Sequence, residues 1–431
     1  MASINEDTRR FLETKARTLE ARARRLAHLT PNSVGIRPQD EPYAPSPAHF
    51  AAANRRLMAI DQSVERQLAD LRSRLGSASP ARILLAIALV EREVDRARRA
   101  FGMFFEVFSQ RGSTFAPALA AHDAIAADCY AAIRQTSPTI FRGPLLKPLS
   151  YMEHGYSPAT MRRGVTLRRL LGETNPFPVI RIPWDRDNPW QSVFLHEISH
   201  NLHADLGIWQ ENQDAIARRL GGNIGDPLVT SVFRRWHKEI FADLAAVLLG
   251  GTASVWGMME FLAHPAPAVL TYRPGGAHPT GYLRVPILAE MLRRMGFGDD
   301  ATRAERVWRT LYTRRGGHRL PPRLLQTAGR TIPQVVDETA YQPRRGLAQR
   351  ALADVIRFSA ADEREVRRGA RLLHHGTVPT DLPPRFLLSA SRHAVGLGGD
   401  LQALSGRVTR HLAAIAAENR SEGAIPDLKA A

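Results

Sequence analysis

The stretch "SVFLHEISHNLHADLG" (residues 192–207) carries two histidines four positions apart, His196 and His200, with Glu197 directly after the first. On a helix, positions i and i+4 stand one turn apart on the same face, so both imidazoles reach one point in space. Glu197, one residue along, projects beside that point. Two nitrogen donors and a neighbouring carboxylate are what a metal ion and an adjacent water require. With 15 His and 21 Glu in 431 residues, random order gives roughly 0.025 such patterns. A lone match is suggestive, and partners elsewhere in the chain must decide it.

The stretch reads as a helix with Asn188 as cap, Pro189 in the first turn and Gly207 at the stop. A catalytic zinc takes three protein ligands and leaves a fourth position open. The pattern with glycine three residues past the second histidine and a ligand three further on is absent, since those positions hold His203 and Leu206. Asp205 would have to reach round its own helix. A second helix supplies the missing carboxylate. "DPLVTSVFRRWHKEIFADLAAVLLGG" (residues 226–251) has Asp226 as cap, Pro227 in the first turn and Gly250 at the stop, with Glu239 and Asp243 four apart on one face. Glu239 is the expected third ligand. Asp243 is placed to accept the N–H of a ligand histidine, His196 first of all, fixing its tautomer.

With "AHPTGYLRV" (residues 277–285) these motifs form a set, HExxH, ExxAD and HPxxxxR, in that order. The set resembles the gluzincin zinc metallopeptidases. Its nearest likeness is to the branch that holds the CAAX prenyl endopeptidases, the HtpX heat-shock peptidases and the small soluble minigluzincins. The likeness covers about residues 175–295 and leaves the flanking helical regions unexplained. It implies a zincin-like metallopeptidase core with one zinc per chain, held by His196, His200 and Glu239. Zinc there would lower the pKa of a bound water from about 15.7 toward about 7, and Glu197 would act as general base. His278 is the implied stabiliser of the developing oxyanion, and Arg284 either contacts substrate or braces Asp243. The chain lacks the apolar spans of the membrane members, which argues against lipidated substrates. "FPVIRIPW" (residues 177–184) reads as a short strand bounded by prolines, hence an edge. Its Val179, Ile180, Arg181 and Ile182 would bind an extended peptide by β-augmentation.

The rest of the chain is mostly helical in pattern, so the fold class is mainly α (α+β), with a small sheet beside the core. Three regions are expected: a helical N-terminal region (1–137), the metallopeptidase core (138–316) and a helical C-terminal region (317–431). Apolar periodicity predicts helices over 4–30, 46–75, 79–110 and "APALAAHDAIAADCYAAIRQ" (116–135), the second and third forming a hairpin. Further helices are expected over 332–357, 360–375 and 402–418. His203 and His237 are assigned to structure, and His374 and His375 to a helix end. Ser199 is no nucleophile, because its neighbour His200 is committed to the metal. Cys129 reads as a small buried thiol, and a single cysteine excludes an internal disulfide.

The formal net charge is +17, and of 59 lysines and arginines only four are lysines, which leaves 55 arginines. They are scattered through the helices without a compact basic run, which suits solvated faces and internal ion pairs better than nucleic acid. The N-terminal 25 residues have no apolar core, and the longest uncharged run, Leu244–Met259, is too short to span a bilayer. The expectation is a soluble, cytoplasmic protein acting on a protein or peptide substrate, its oligomeric state open. A zinc-dependent endopeptidase is the first functional reading. The other is an inactive helical scaffold on a gluzincin-like core, which would bind metal without turnover.

Overall fold

The computed structural model describes residues 5–75, 78–141, 145–155, 159–161, 175–312 and 319–420. Helices make up 72% of it, joined by one small sheet, so the class is mainly α (α+β). The described residues divide into two compact units. The first holds the residues up to Ala116 with 175–178 and 418–420; the second holds 117–161 and 179–417.

The first unit is built on α1 (Glu6–Arg25), α2 (Pro47–Arg74) and α3 (Pro80–Ser109). The last two match the hairpin read from periodicity. Leu12, Leu19, Val64, Leu68, Leu71, Ile83, Val90 and Val94 form one buried cluster among the three helices. Asn5 caps α1 through its side chain, accepting from the Thr8 N–H at 2.8 Å. Acidic residues open that helix and arginines close it, matching its dipole. Asn54 is buried on α2 and makes two bonds to the backbone of Leu29, at 2.8 and 2.9 Å, so its burial leaves no polar cost.

The second unit opens with α4 (Ala116–Thr136), whose first residue belongs to the first unit, and continues with β1 (Leu149–Glu153), β2 (Ala159–Met161) and β3 (Val179–Pro183). Cys129 is buried on α4, and desolvation pushes its thiol pKa far up, so it is an inert core residue. The strand order is β1-β3-β2, with β1 parallel and β2 antiparallel to β3. The expectation of an edge strand at Val179–Ile182 is therefore wrong: β3 is the central strand. Pro178 precedes it and Pro183 is its last residue, so the prolines punctuate its ends and leave the N–H groups between them free for the ladders. β1 and β2 occupy both sides of Val179, Ile180 and Arg181, and β1 occupies one side of Ile182, so this strand does not offer the edge expected of it.

Next come α5 (Val193–Asp205), α6 (Trp209–Asn223), α7 (Pro227–Gly250), α8 (Thr252–Leu262), α9 (Ala266–Val269), α10 (Gly281–Arg294) and α11 (Gly298–Leu311). Every residue of α7 from Glu239 to Gly250 is buried, which makes it the central rod of the unit; each large apolar side chain so covered contributes about 1.5–3 kcal/mol. The rod approaches α5 closely because Gly250 has no side chain: a Cβ there would lie 2.5 Å from Leu195 Cδ1. Asp226 caps α7 as expected, accepting from Leu228 N and Val229 N, and Pro227 stands in its first turn. The start of α5 differs. Asn188 and Pro189 lie in a turn before it, with Gln191 N–H donating to Asn188 O at 3.1 Å, and the helix begins at Val193. Gly207, at φ +68°, ends it where expected.

The unit closes with α12 (Pro322–Val336), α13 (Leu352–Val355), α14 (Ala360–His374), α15 (Pro384–Gly396) and α16 (Leu401–Glu418), whose last residue belongs to the first unit. The single helix expected over 332–357 is a correction: α12 stops at Val336, a π-type turn follows over Asp337–Tyr341, and irregular chain leads to α13. Pro343 and Gly346 explain the break. Many arginines serve as internal ion-pair partners. Arg219 meets Asp337 at 2.7 Å, Arg344 meets Glu338 at 3.0 Å and Arg385 meets Asp128 at 2.8 Å.

Glu363, at the start of α14, gathers such a network. Thr252 Oγ1 and Arg367 Nε each donate to it at 2.6 Å, and His393 Nε2 lies 3.5 Å away. Burial raises its pKa, but His393, Thr252 and Arg367 outweigh burial and hold it below its ordinary 4.5. A depressed carboxylate stabilises the fold above the unfolded value, and that contribution is lost as pH falls through the folded one. Glu363→Gln is expected to cost about 2 kcal/mol near neutrality, with the gap to wild type closing as the pH drops below about 4.5. Denaturant midpoints at the two pH values measure this; a gap equally wide in acid would exclude the charge as its source.

Candidate metal centre

α5 presents His196 and His200 with ring centroids 4.7 Å apart, and α7 brings Glu239 across to them. His196 Nε2 and His200 Nε2 lie 3.2 Å apart. Glu239 Oε2 is 3.3 Å from the first and Oε1 is 3.5 Å from the second. One ligand atom from each residue fits within 4.8 Å of the others, so the three side chains can hold a metal ion. Two imidazole nitrogens and one carboxylate oxygen, with no thiolate near, form a donor set suited to zinc. The spacing on each helix set this up, since both pairs sit at i and i+4.

Asp243, one turn along α7 from Glu239, is 1% exposed. Its Oδ1 stands 2.9 Å from His196 Nδ1. That contact assigns the ring proton to Nδ1 and leaves Nε2 facing the other two ligands. Arg284 on α10, also buried, clamps the far side of Asp243 with Nε at 2.6 Å and Nη2 at 2.8 Å. Its Nη2 is 3.2 Å from both ring nitrogens of His196, so it is aimed at neither. Of the two roles expected for Arg284, the geometry supplies the bracing one.

The electrostatics follow from these contacts. Burial and the Arg284 charge disfavour protonation of His196, but Asp243 and Glu239 outweigh them and raise its pKa to about 9. Burial alone would raise Glu239, yet His196 and His200 hold it well below the usual carboxylate range. Burial likewise works against an ionised Asp243, and Arg284 and His196 keep it lowered. Two carboxylates, Glu239 and Asp243, are thus held ionised in a buried setting, matched by the neighbouring imidazoles and one guanidinium.

Glu197 is 8% exposed beside the ligands on α5. His278, in the chain leading to α10, has a side chain 72% exposed and its Nε2 3.5 Å from Glu239 Oε1, so it stands on the solvent side of the site. His203 and His237 take structural places: His203 stacks on Phe241 at 3.9 Å, and His237 Nδ1 bonds Arg234 O at 2.7 Å. Ser199 Oγ donates to Leu195 O and is fully buried, away from any nucleophilic role. Asp205 accepts from Tyr130 OH at 2.7 Å. Two neighbours were not foreseen. Thr160 of β2 donates to the backbone carbonyl of Glu197, and Asn201 donates to Thr160, both at 3.2 Å. Asn201 follows the motif directly, but nothing in its local sequence marks a strand partner.

Replacing Asp243 by Asn keeps the shape and removes the charge that orients His196. Zinc affinity is expected to fall tenfold to a hundredfold, in the range of such outer partners, about 10–100, read by competition with a chromophoric chelator. An unchanged affinity would remove Asp243 from the site. Comparison with protein-family models, with curated proteins and with solved structures finds no match. No helix among the described residues is long and apolar enough to cross a membrane.

Proposed function

We propose that the chain is a zinc-dependent endopeptidase. The observation that carries this reading is the meeting of His196, His200 and Glu239 from two helices, with Glu197 beside them on α5. A purely structural metal site would need no Glu197 and would close its fourth position with protein. The zinc, when bound, supplies Lewis acidity toward a peptide carbonyl and a water. Glu197 takes the proton from the attacking water and hands it to the leaving amine. Glu239 contributes the anionic ligand, and Asp243, itself held by Arg284, fixes the His196 ring. His278, exposed at the mouth of the site, is the group placed to donate to a developing oxyanion.

An extended substrate would pair with β2 rather than with Val179–Ile182. No described strand pairs with the outer side of β2, and β2 is the strand bonded to the motif helix. Main-chain pairing there would give affinity independent of side chains. Metal analysis of purified wild type beside Glu239→Ala, followed by digestion of a peptide library, tests the reading. The expected outcome is about one zinc per chain in wild type, severe loss in the variant, and cleavage confined to wild type. A folded wild-type chain that retains no zinc at micromolar concentration overturns it.

A further inference from the structure

We infer that Thr160 is a positioning residue, a pin that fixes the height of the β2 edge over Glu197, with Asn201 as its anchor. The inference rests on the peptidase reading only for its kinetic readout. The described residues of β2 pair with β3 through Ala159↔Arg181, Thr160↔Ile180 and Met161↔Val179. Strand side chains alternate. Thr160 therefore faces one side, toward α5, while Ala159 and Met161 face the other. Its hydroxyl does two things there: it donates to the Glu197 carbonyl at 3.2 Å and accepts from Asn201 Nδ2 at 3.2 Å.

Asn201 stands four residues after Glu197, one turn along the same face of α5. It is 0% exposed, and its Oδ1 has no hydrogen-bond partner among the described residues. A buried amide with an unsatisfied oxygen is costly to keep, and what its donor side secures is Thr160. The bond therefore ties the strand that would receive a peptide to the backbone of the residue that would take the proton. A side-chain anchor to the rigid helix adds to the ladder in setting the position of the strand over α5. Neither residue touches substrate or metal; both act by placing the edge.

The test uses the full-length, zinc-loaded chain and two substitutions. Thr160→Val keeps shape and removes both bonds; Thr160→Ser keeps the hydroxyl. Misplacement of the scissile carbonyl is expected to lower kcat on the order of tenfold to a hundredfold in Thr160→Val, with KM moved far less and zinc content unchanged. Thr160→Ser is expected to stay near wild type. Wild-type kcat in Thr160→Val, or equal impairment of both variants, overturns the inference. Amide exchange at residues 159–161 needs no substrate and is expected to quicken about tenfold or more in Thr160→Val; unchanged exchange also overturns it. Should wild type cleave no peptide while exchange still quickens, the peptidase reading falls and the pin stands.

Discussion

Glu197→Gln is expected to lose peptide hydrolysis by about 10²–10⁴ in kcat while holding as much zinc as wild type. Gln is nearly isosteric and keeps a carbonyl oxygen in place, so the geometry of α5 and the two imidazoles is undisturbed. What disappears is the ability to accept a proton. Glu197 sits on the ligand helix beside His196 and is 8% exposed, so bulk water has little access to substitute for it. The measurement pairs steady-state kinetics on a library-derived peptide with metal analysis of the same preparation. Retention of more than about a tenth of the activity would remove Glu197 from the role of base. Loss of metal along with activity would make it part of the cage instead.

The second large effect concerns stability. Arg284→Met removes the cation that clamps Asp243 and leaves a carboxylate, 1% exposed, with only His196 to oppose its charge. Breaking a buried pair by deleting one partner costs about 3–5 kcal/mol, because the remaining charge keeps its desolvation penalty. Removing both charges, as in Arg284→Met with Asp243→Leu, is expected to recover most of that loss, since apolar groups of similar volume carry no such penalty. Unfolding monitored on Arg284→Met, Asp243→Leu, the double variant and wild type closes the cycle and gives the coupling. A single variant within about 1 kcal/mol of wild type would show that Asp243 is not held as a buried anion.

What the sequence made legible was whatever a single helix encodes. His196, Glu197 and His200, and likewise Glu239 and Asp243, owe their facing to i, i+4 spacing, which holds wherever the helix goes. Asp226 and Pro227 marked the start of α7 because capping is a local bond. The clamp of Arg284 on Asp243 was legible only as one of two alternatives, since its choice depends on where α10 lies. Strand order was not legible. "VIRIP" bounded by prolines fits an edge or a centre equally, and its neighbours β1 and β2 are set by chain far from it. Thr160 was invisible for the same reason: its acceptor and donor stand 37 and 41 residues away. The helix expected over 332–357 failed at Pro343, whose effect on the preceding turns outweighed the apolar period.

The burial of the charged side chains around the candidate metal centre has a consequence for which ions it tolerates. With both imidazoles neutral, as metal ligation requires, Glu197, Glu239 and Asp243 against Arg284 leave a formal charge of −2 when all four are ionised, in a region where each is at most 8% exposed. A dication brings that sum to neutrality, whereas sodium or potassium would leave an uncompensated unit of charge in a medium that punishes it. Valence is thereby discriminated by the surroundings before coordination geometry has any say. Abundant monovalent ions would compete poorly for the cage even where they greatly outnumber the metal it suits.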